Sequence, residues 1–176
     1  DATKPVTNMG KLAVGIGTDK GNNMPESDRV LVRINNEITA QRCRSAVRAT
    51  MKLQIKAIVI DTLTGRTGRY LSALPGERPV YAVCYRKSVM RQLGLSYGIH
   101  AIYREPAESR DSFLLSILFY LERKKWLLKE DLVAVVGGSF GAFKGASFLE
   151  IGTVLNLEYK SQSGDNYDQS NNGSSH

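Results

Sequence analysis

Residues 57–103 read AIVIDTLTGRTGRYLSALPGERPVYAVCYRKSVMRQLGLSYGIHAIY, and this stretch decides the fold. Ala57–Asp61 is a short, continuously apolar run of β-branched residues, as a parallel strand buried on both faces requires. Thr64–Leu74 has helical spacing and is closed by Pro75-Gly76. Pro79–Tyr85 (PVYAVCY) repeats the strand pattern. A helix then runs from about Arg86 to Leu95, a break falls at Gly94–Gly98, and Ile99–Tyr103 makes a third strand.

The same alternation extends in both directions. Upstream, Glu37–Ile55 is an amphipathic helix whose apolar stripe holds Ile38, Cys43, Ala46, Val47, Ala49, Thr50 and Leu53. Downstream, Ser109–Leu128 is a long helix, Leu132–Val136 a fourth strand and Phe148–Leu157 (FLEIGTVLNL) a fifth. Strand–helix–strand units with short connections give a mostly parallel sheet with helices on both faces. The last two strands are joined by a glycine-rich loop with no helix, so the fifth runs antiparallel to the fourth. The expected fold class is therefore α/β: a three-layer αβα sandwich of five strands, mostly parallel, with the last antiparallel.

The expected domain spans residues 37–160. Residues 1–36 are an N-terminal segment of open role in which Val30–Ile34 alternates like an edge strand. Residues 161–176 (SQSGDNYDQSNNGSSH) lack an apolar period and read as a disordered tail. At 176 residues the chain holds one ordinary domain with a proper core. No apolar run is long enough to cross a bilayer, and Asp1 reads as a processed or excised start. Cys43 and Cys84 are expected as buried thiols rather than a disulfide, which fits a reducing, cytoplasmic setting. His100 and His176 are the only histidines and neither lies near a cysteine, so no metal site is expected.

The net charge is +7, which favours a polyanionic partner, either nucleic acid or phosphorylated metabolites. The cations are scattered over Arg42, Arg44 and Arg48, over Arg66 and Arg69, and over Arg123, Lys124 and Lys125. No RNP-like motif, zinc-finger spacing or helix-turn-helix accompanies them, so nucleic acid ranks below small phosphates.

Ligands of open α/β sheets collect beyond the carboxyl ends of the strands. Two segments stand there. In Asp61-Thr-Leu-Thr-Gly-Arg-Thr-Gly-Arg69, Gly65 allows close backbone approach, Thr62, Thr64 and Thr67 offer hydroxyls, and Arg66 offers a charge-assisted bond to phosphate. The bland alternative is that Thr64 N-caps the helix and the arginines are solvated. The second segment, Gly137–Ser147, has four glycines among eleven residues and Lys144 near its tip. It serves equally as a flexible connection or as a ligand-closing loop built on Gly138, Ser139, Gly141, Lys144 and Gly145. Arg110 faces either ligand or solvent. Tyr103 and Trp126 read as packing residues, and Glu105, Glu108 and Asp111 complement the dipole of the long helix. Ser139 lacks a nucleophile elbow and a histidine partner, and no catalytic constellation is found.

In this order and spacing, the two loops resemble the C-terminal domain of pyruvate kinases. The resemblance runs from about Glu37 to Leu157 and includes EDLVAVVGGSFGAFKGASFLEI, which is similar to the family's last strand pair and effector loop. It implies a regulatory and oligomerisation domain that contributes to a homotetramer and binds a phosphorylated small molecule, a sugar phosphate or nucleotide monophosphate. Thr62, Thr64, Gly65, Arg66 and Thr67 would cradle its phosphate, residues 138–147 would fold over it, and Arg110 matches an arginine that in some members holds a second phosphate. Where those members carry a tryptophan and an arginine this sequence has Ser139 and Phe140, and Gly-Ala-Phe-Lys replaces their Pro-Gly-Ser-Gly. These departures favour a monophosphate or no effector. The implied parent enzyme transfers phosphate from phosphoenolpyruvate to ADP in glycolysis with Mg²⁺ and K⁺ bound in its barrel; the domain itself calls for no cofactor. Two alternatives are a stand-alone phosphometabolite-sensing or interaction module without kinase activity and a basic nucleic-acid-binding protein.

Overall fold

The computed structural model describes residues 26–74, 76–138 and 148–171. The chain divides into two units, 1–37 and 38–176, and the sheet belongs wholly to the second. In chain order the elements are α1 (Glu26–Lys52), β1 (Ile55–Thr62), α2 (Arg66–Ser72), β2 (Val80–Cys84) and α3 (Lys87–Leu93). They continue with β3 (Ile99–Tyr103), α4 (Arg110–Arg123), β4 (Leu132–Gly137), β5 (Phe148–Thr153) and α5 (Val154–Asn171).

The five strands form one sheet in the order β3-β2-β1-β4-β5. The β1/β2, β2/β3 and β1/β4 pairs are parallel, and β4/β5 is antiparallel. Strand alternation sends successive side chains to opposite faces, and two core clusters result. One gathers Val59, Val83 and Val135 with Phe113, Leu114, Ile117, Leu118 and Leu121 of α4 and Val154 and Leu157 of α5. The other gathers Ile58, Ile60, Ala82 and Val136 with Cys43, Ala46 and Val47 of α1, Leu71 of α2 and Leu93 of α3. These are the three layers expected from the sequence, including the antiparallel last strand.

Three local expectations are corrected. Val30–Ile34 is not an edge strand but lies inside α1. Alternation over five residues is too short to separate a period of 2 from one of 3.6, and Val30, Ile34 and Ile38 also recur every fourth residue. Phe148–Leu157 is not a single strand, since β5 ends at Thr153 and α5 follows at once. Thr153 Oγ1 accepts the Asn156 N–H at 3.2 Å, an N-terminal cap. The amides of Val154 and Leu155 are satisfied at 3.0 Å by the carbonyls of Asp131 and Lys129, just before β4. The disordered tail expected from 161 is corrected likewise: α5 runs to Asn171, with Val154, Leu157, Glu158 and Ser161 buried at helical spacing. Residues 172–176 lie outside the described residues.

Helix α4 carries a reciprocal cap at its start. Ser109 Oγ accepts the Ser112 N–H and Ser112 Oγ accepts the Ser109 N–H, each at 3.1 Å. Its end is a Schellman turn: Trp126 N–H reaches Leu121 O at 3.0 Å and Lys125 N–H reaches Glu122 O at 2.8 Å. Lys125 sits there at φ 58°, a position that glycine usually takes.

Candidate functional site

The strand order places the topological switch between β1 and β4, since the chain winds from β1 towards β3 on one side and reaches β4 on the other. A crevice opens at such a point beyond the carboxyl ends of the two strands. Thr62 ends β1 and Gly137 ends β4. Both sequence-selected segments therefore start at this edge.

Thr62 is buried, and its Oγ1 accepts the Gly65 N–H at 2.8 Å, which folds the chain back as it leaves β1. Gly65 has φ +85°, and a Cβ there would also meet Val89 Cγ1 at 3.2 Å. Glycine is thus required by the turn itself. The N-cap position of α2 is held by Gly65 with no side-chain cap, and Thr64 Oγ1 lies 3.4 Å from the Arg66 amide. Thr62 rather than Thr64 ties the loop, so the bland reading of Thr64 as the cap does not describe it. Thr64 and Arg66 are exposed and Thr67 is half-buried. Arg69 leans back over the turn, its Nη2 donating to Thr64 O at 3.3 Å.

Beneath the loop is a pair that sequence reading missed. Tyr85 Oη donates to Asp61 Oδ2 at 2.8 Å, and both residues are buried. Burial, reinforced by the Asp61 carboxylate, pushes the Tyr85 phenol far above its ordinary range, so it stays a proton donor. The register explains the pairing: Asp61 stands opposite Val83, and Tyr85 is its diagonal neighbour on the same face.

Arg110 begins α4 and is already engaged. Its Nη1 pairs with Glu150 Oε1 of β5, and its Nη2 lies 3.5 Å from Asp111 Oδ1. The guanidinium also lies 5.7 Å from the centroid of the Phe148 ring. That ring occupies the space where Gly137 lacks a side chain, since a Cβ on Gly137 would meet Phe148 Cζ at 2.7 Å. Of the second segment, Gly138 is buried with φ +130°, while Ser139, Gly141, Lys144 and Gly145 lie outside the described residues.

Cys43 and Cys84 are free and buried, and burial pushes each thiol up to about 11, which leaves both unreactive. Trp126 stacks on Tyr81 at 5.6 Å, a packing role. Among the described residues, no three His, Cys, Asp or Glu side chains converge as metal ligands, and no helix is long and apolar enough to cross a membrane.

The chain is a three-layer α/β domain whose topological switch lies between β1 and β4, with a glycine turn flanked by threonines at the carboxyl end of β1. The model of one family, described as "Pyruvate kinase, alpha/beta domain", matches residues 41–151, and the chain belongs to that family. It is 29% identical over 114 residues to a pyruvate kinase of Borreliella burgdorferi, covering 63% of this chain and 24% of the relative. It is 36% identical over 114 residues to pyruvate kinase PKLR of Rattus norvegicus, covering 61% of this chain and 19% of that protein. Among solved structures it is similar to Cryptosporidium parvum pyruvate kinase in complex with ADP, with a TM-score of 0.59 and 18% identity over 66% of this chain and 23% of that one. That last likeness speaks for the fold alone. The chain thus spans no more than about a quarter of the length of these relatives.

Proposed function

We propose that this chain is the regulatory and oligomerisation domain of a pyruvate kinase and binds a phosphorylated small molecule at Thr62–Thr67. The observation that carries the reading is the left-handed turn at Gly65, tied to Thr62 at the carboxyl end of β1 beside the topological switch. Such a turn leaves the hydroxyls of Thr64 and Thr67 and the guanidinium of Arg66 free to close on an anion. A sugar phosphate or a nucleotide monophosphate fits this donor set, and residues 138–147 would fold over it.

Membership of the family supports the wider reading. The parent protein would transfer phosphate from phosphoenolpyruvate to ADP in glycolysis, in the cytoplasm, as a homotetramer. Mg²⁺ and K⁺ would belong to its catalytic barrel and not to this domain. Effector binding would bias the parent's subunit arrangement with a coupling on the order of 1–3 kcal/mol. Calorimetry on the full chain with a sugar monophosphate and with AMP tests the site. Wild type is expected to bind one of them, and Thr64→Ala combined with Arg66→Ala to weaken it by about tenfold or more. Absence of binding to wild type, or unchanged binding by the double variant, removes the effector claim.

A further inference from the structure

Asp61 and Thr62 are each 2% exposed and stand side by side at the end of a strand whose other buried residues are all apolar. Burying an ionisable side chain costs more than burying an aliphatic one, and a well-packed apolar pair often replaces such a group without loss of stability. Stability alone therefore does not account for Asp61. Tyr85 lies one residue beyond the last paired position of β2, its ring packed into the α4-side core and its Oη donating to Asp61 Oδ2 at 2.8 Å. Two residues after Asp61, Leu63 packs against that same core cluster. Between them, Thr62 Oγ1 accepts the Gly65 N–H at 2.8 Å. The contacts form an unbroken series from Tyr85 to Asp61, through the chain to Thr62, and on to Gly65.

We propose that Asp61 and Tyr85 are positioning residues of the phosphate loop: their hydrogen bond sets the direction in which the chain leaves β1 and so holds the Gly65 turn in its anion-binding form. The inference rests on reading Thr62–Thr67 as that loop. Apolar contacts such as those of Leu63 are non-directional, and they hold the loop down without fixing its angle. A hydrogen bond has a preferred length and line, and a satisfied buried polar network specifies one geometry. Order in the turn raises affinity because an anion gains most from the Thr64 and Thr67 hydroxyls and the Arg66 guanidinium when none of its binding energy goes into arranging them. The role requires an acceptor for the phenol rather than a negative charge, so asparagine can stand in for Asp61 whereas leucine cannot.

The test separates position from stability. In the double variant Asp61→Leu with Tyr85→Phe both polar partners are gone and neither is left buried without the other, so Tm is expected to stay within about 3 °C of wild type. Calorimetry on the full chain, with glucose 6-phosphate and AMP as probes, is expected to show about tenfold weaker binding by this variant. Asp61→Asn, which keeps the acceptor, is expected to bind within about threefold of wild type. A double variant that binds like wild type overturns the inference and leaves the phosphate loop standing, and so does an Asp61→Asn variant that binds as poorly as the double one. Should the double variant unfold, Tyr85→Phe is read by amide hydrogen exchange. There the Gly65 amide is expected to quicken about tenfold more than those of Val59 and Ile60 in the same strand's interior. A rise at Gly65 no larger than theirs overturns the inference. If wild type binds neither probe, the phosphate-loop reading itself falls and takes this inference with it.

Discussion

Lys125 is the one non-glycine among the described residues with a positive φ, 58°, and it sits where the Schellman turn closes α4. A side chain in this conformation brings its Cβ close to the following carbonyl. Lys125→Gly is therefore expected to stabilise the domain by about 1 kcal/mol, which for a chain of this size raises Tm by roughly 2–4 °C. Differential scanning calorimetry measures it, and an unchanged or lower Tm would contradict the strain. Residue-level features of this kind were partly legible. The Gly65 turn could be read because a glycine among threonines directly after an apolar strand has few other uses. The engagement of Arg110 could not, because its partner Glu150 lies 40 residues away and nothing local to either residue names the other. Asp61 and Tyr85, 24 residues apart, were hidden for the same reason until the register of β1 on β2 was known.

At the scale of elements, the strands were the easiest to read, since β1, β2 and β4 are nearly pure β-branched and apolar runs buried on both faces. Helix α5 was not, because the alternation of β5 runs straight into Val154 and Leu157, and because its polar second half has the composition of a tail. What helps to anchor α5 is a polar cluster in which the exposed Lys129 reaches the buried carboxylate of Glu158. Lys129 Nζ lies 3.0 Å from Glu158 Oε2 on α5 and 3.2 Å from Glu122 Oε1 on α4, bridging the two helices. Burial pushes the Glu158 carboxyl above its ordinary value of 4.5, and the neighbouring Glu122 adds to the rise although Lys129 opposes it. The folded form then holds the Glu158 proton more tightly than the unfolded chain does. The contribution of this group is greatest at acid pH and is lost as pH rises from about 4.5 through the raised value. Lys129, raised above 10.5 chiefly by its bond to Glu158, loses its contribution only in alkali. Amide hydrogen exchange along α5 should therefore quicken, after correction for intrinsic rates, as pH rises through the mildly acid range. Glu158→Gln should flatten that dependence; an unaltered slope in the variant would show that another group controls it.

For the molecule as a whole, the α/β class, the five strands and the antiparallel last strand were legible from the alternation of elements, whereas the order β3-β2-β1-β4-β5 depends on contacts between strands far apart in sequence. The site was legible only on its β1 rim. Family likeness and folding unit also end at different places: the matched region stops at residue 151, yet Val154, Leu157, Glu158 and Ser161 of α5 are buried beyond it. An excision guided by likeness alone would cut inside β5, strip Val154 and Leu157 from the face of α4 and strand Lys129 without its Glu158 partner. Losing two buried aliphatic side chains alone costs about 3–6 kcal/mol, a large share of what holds a domain of this size together. A chain ending at Ile151 is thus expected to unfold at a markedly lower urea midpoint than one ending at Asn171, or to be recovered only as aggregate. Equal midpoints would mean that α5 is an ornament. Its capped start at Thr153 and its backbone bonds to Lys129 and Asp131 instead make it the hasp on the sheet's antiparallel edge, closing a border that the family pattern leaves open.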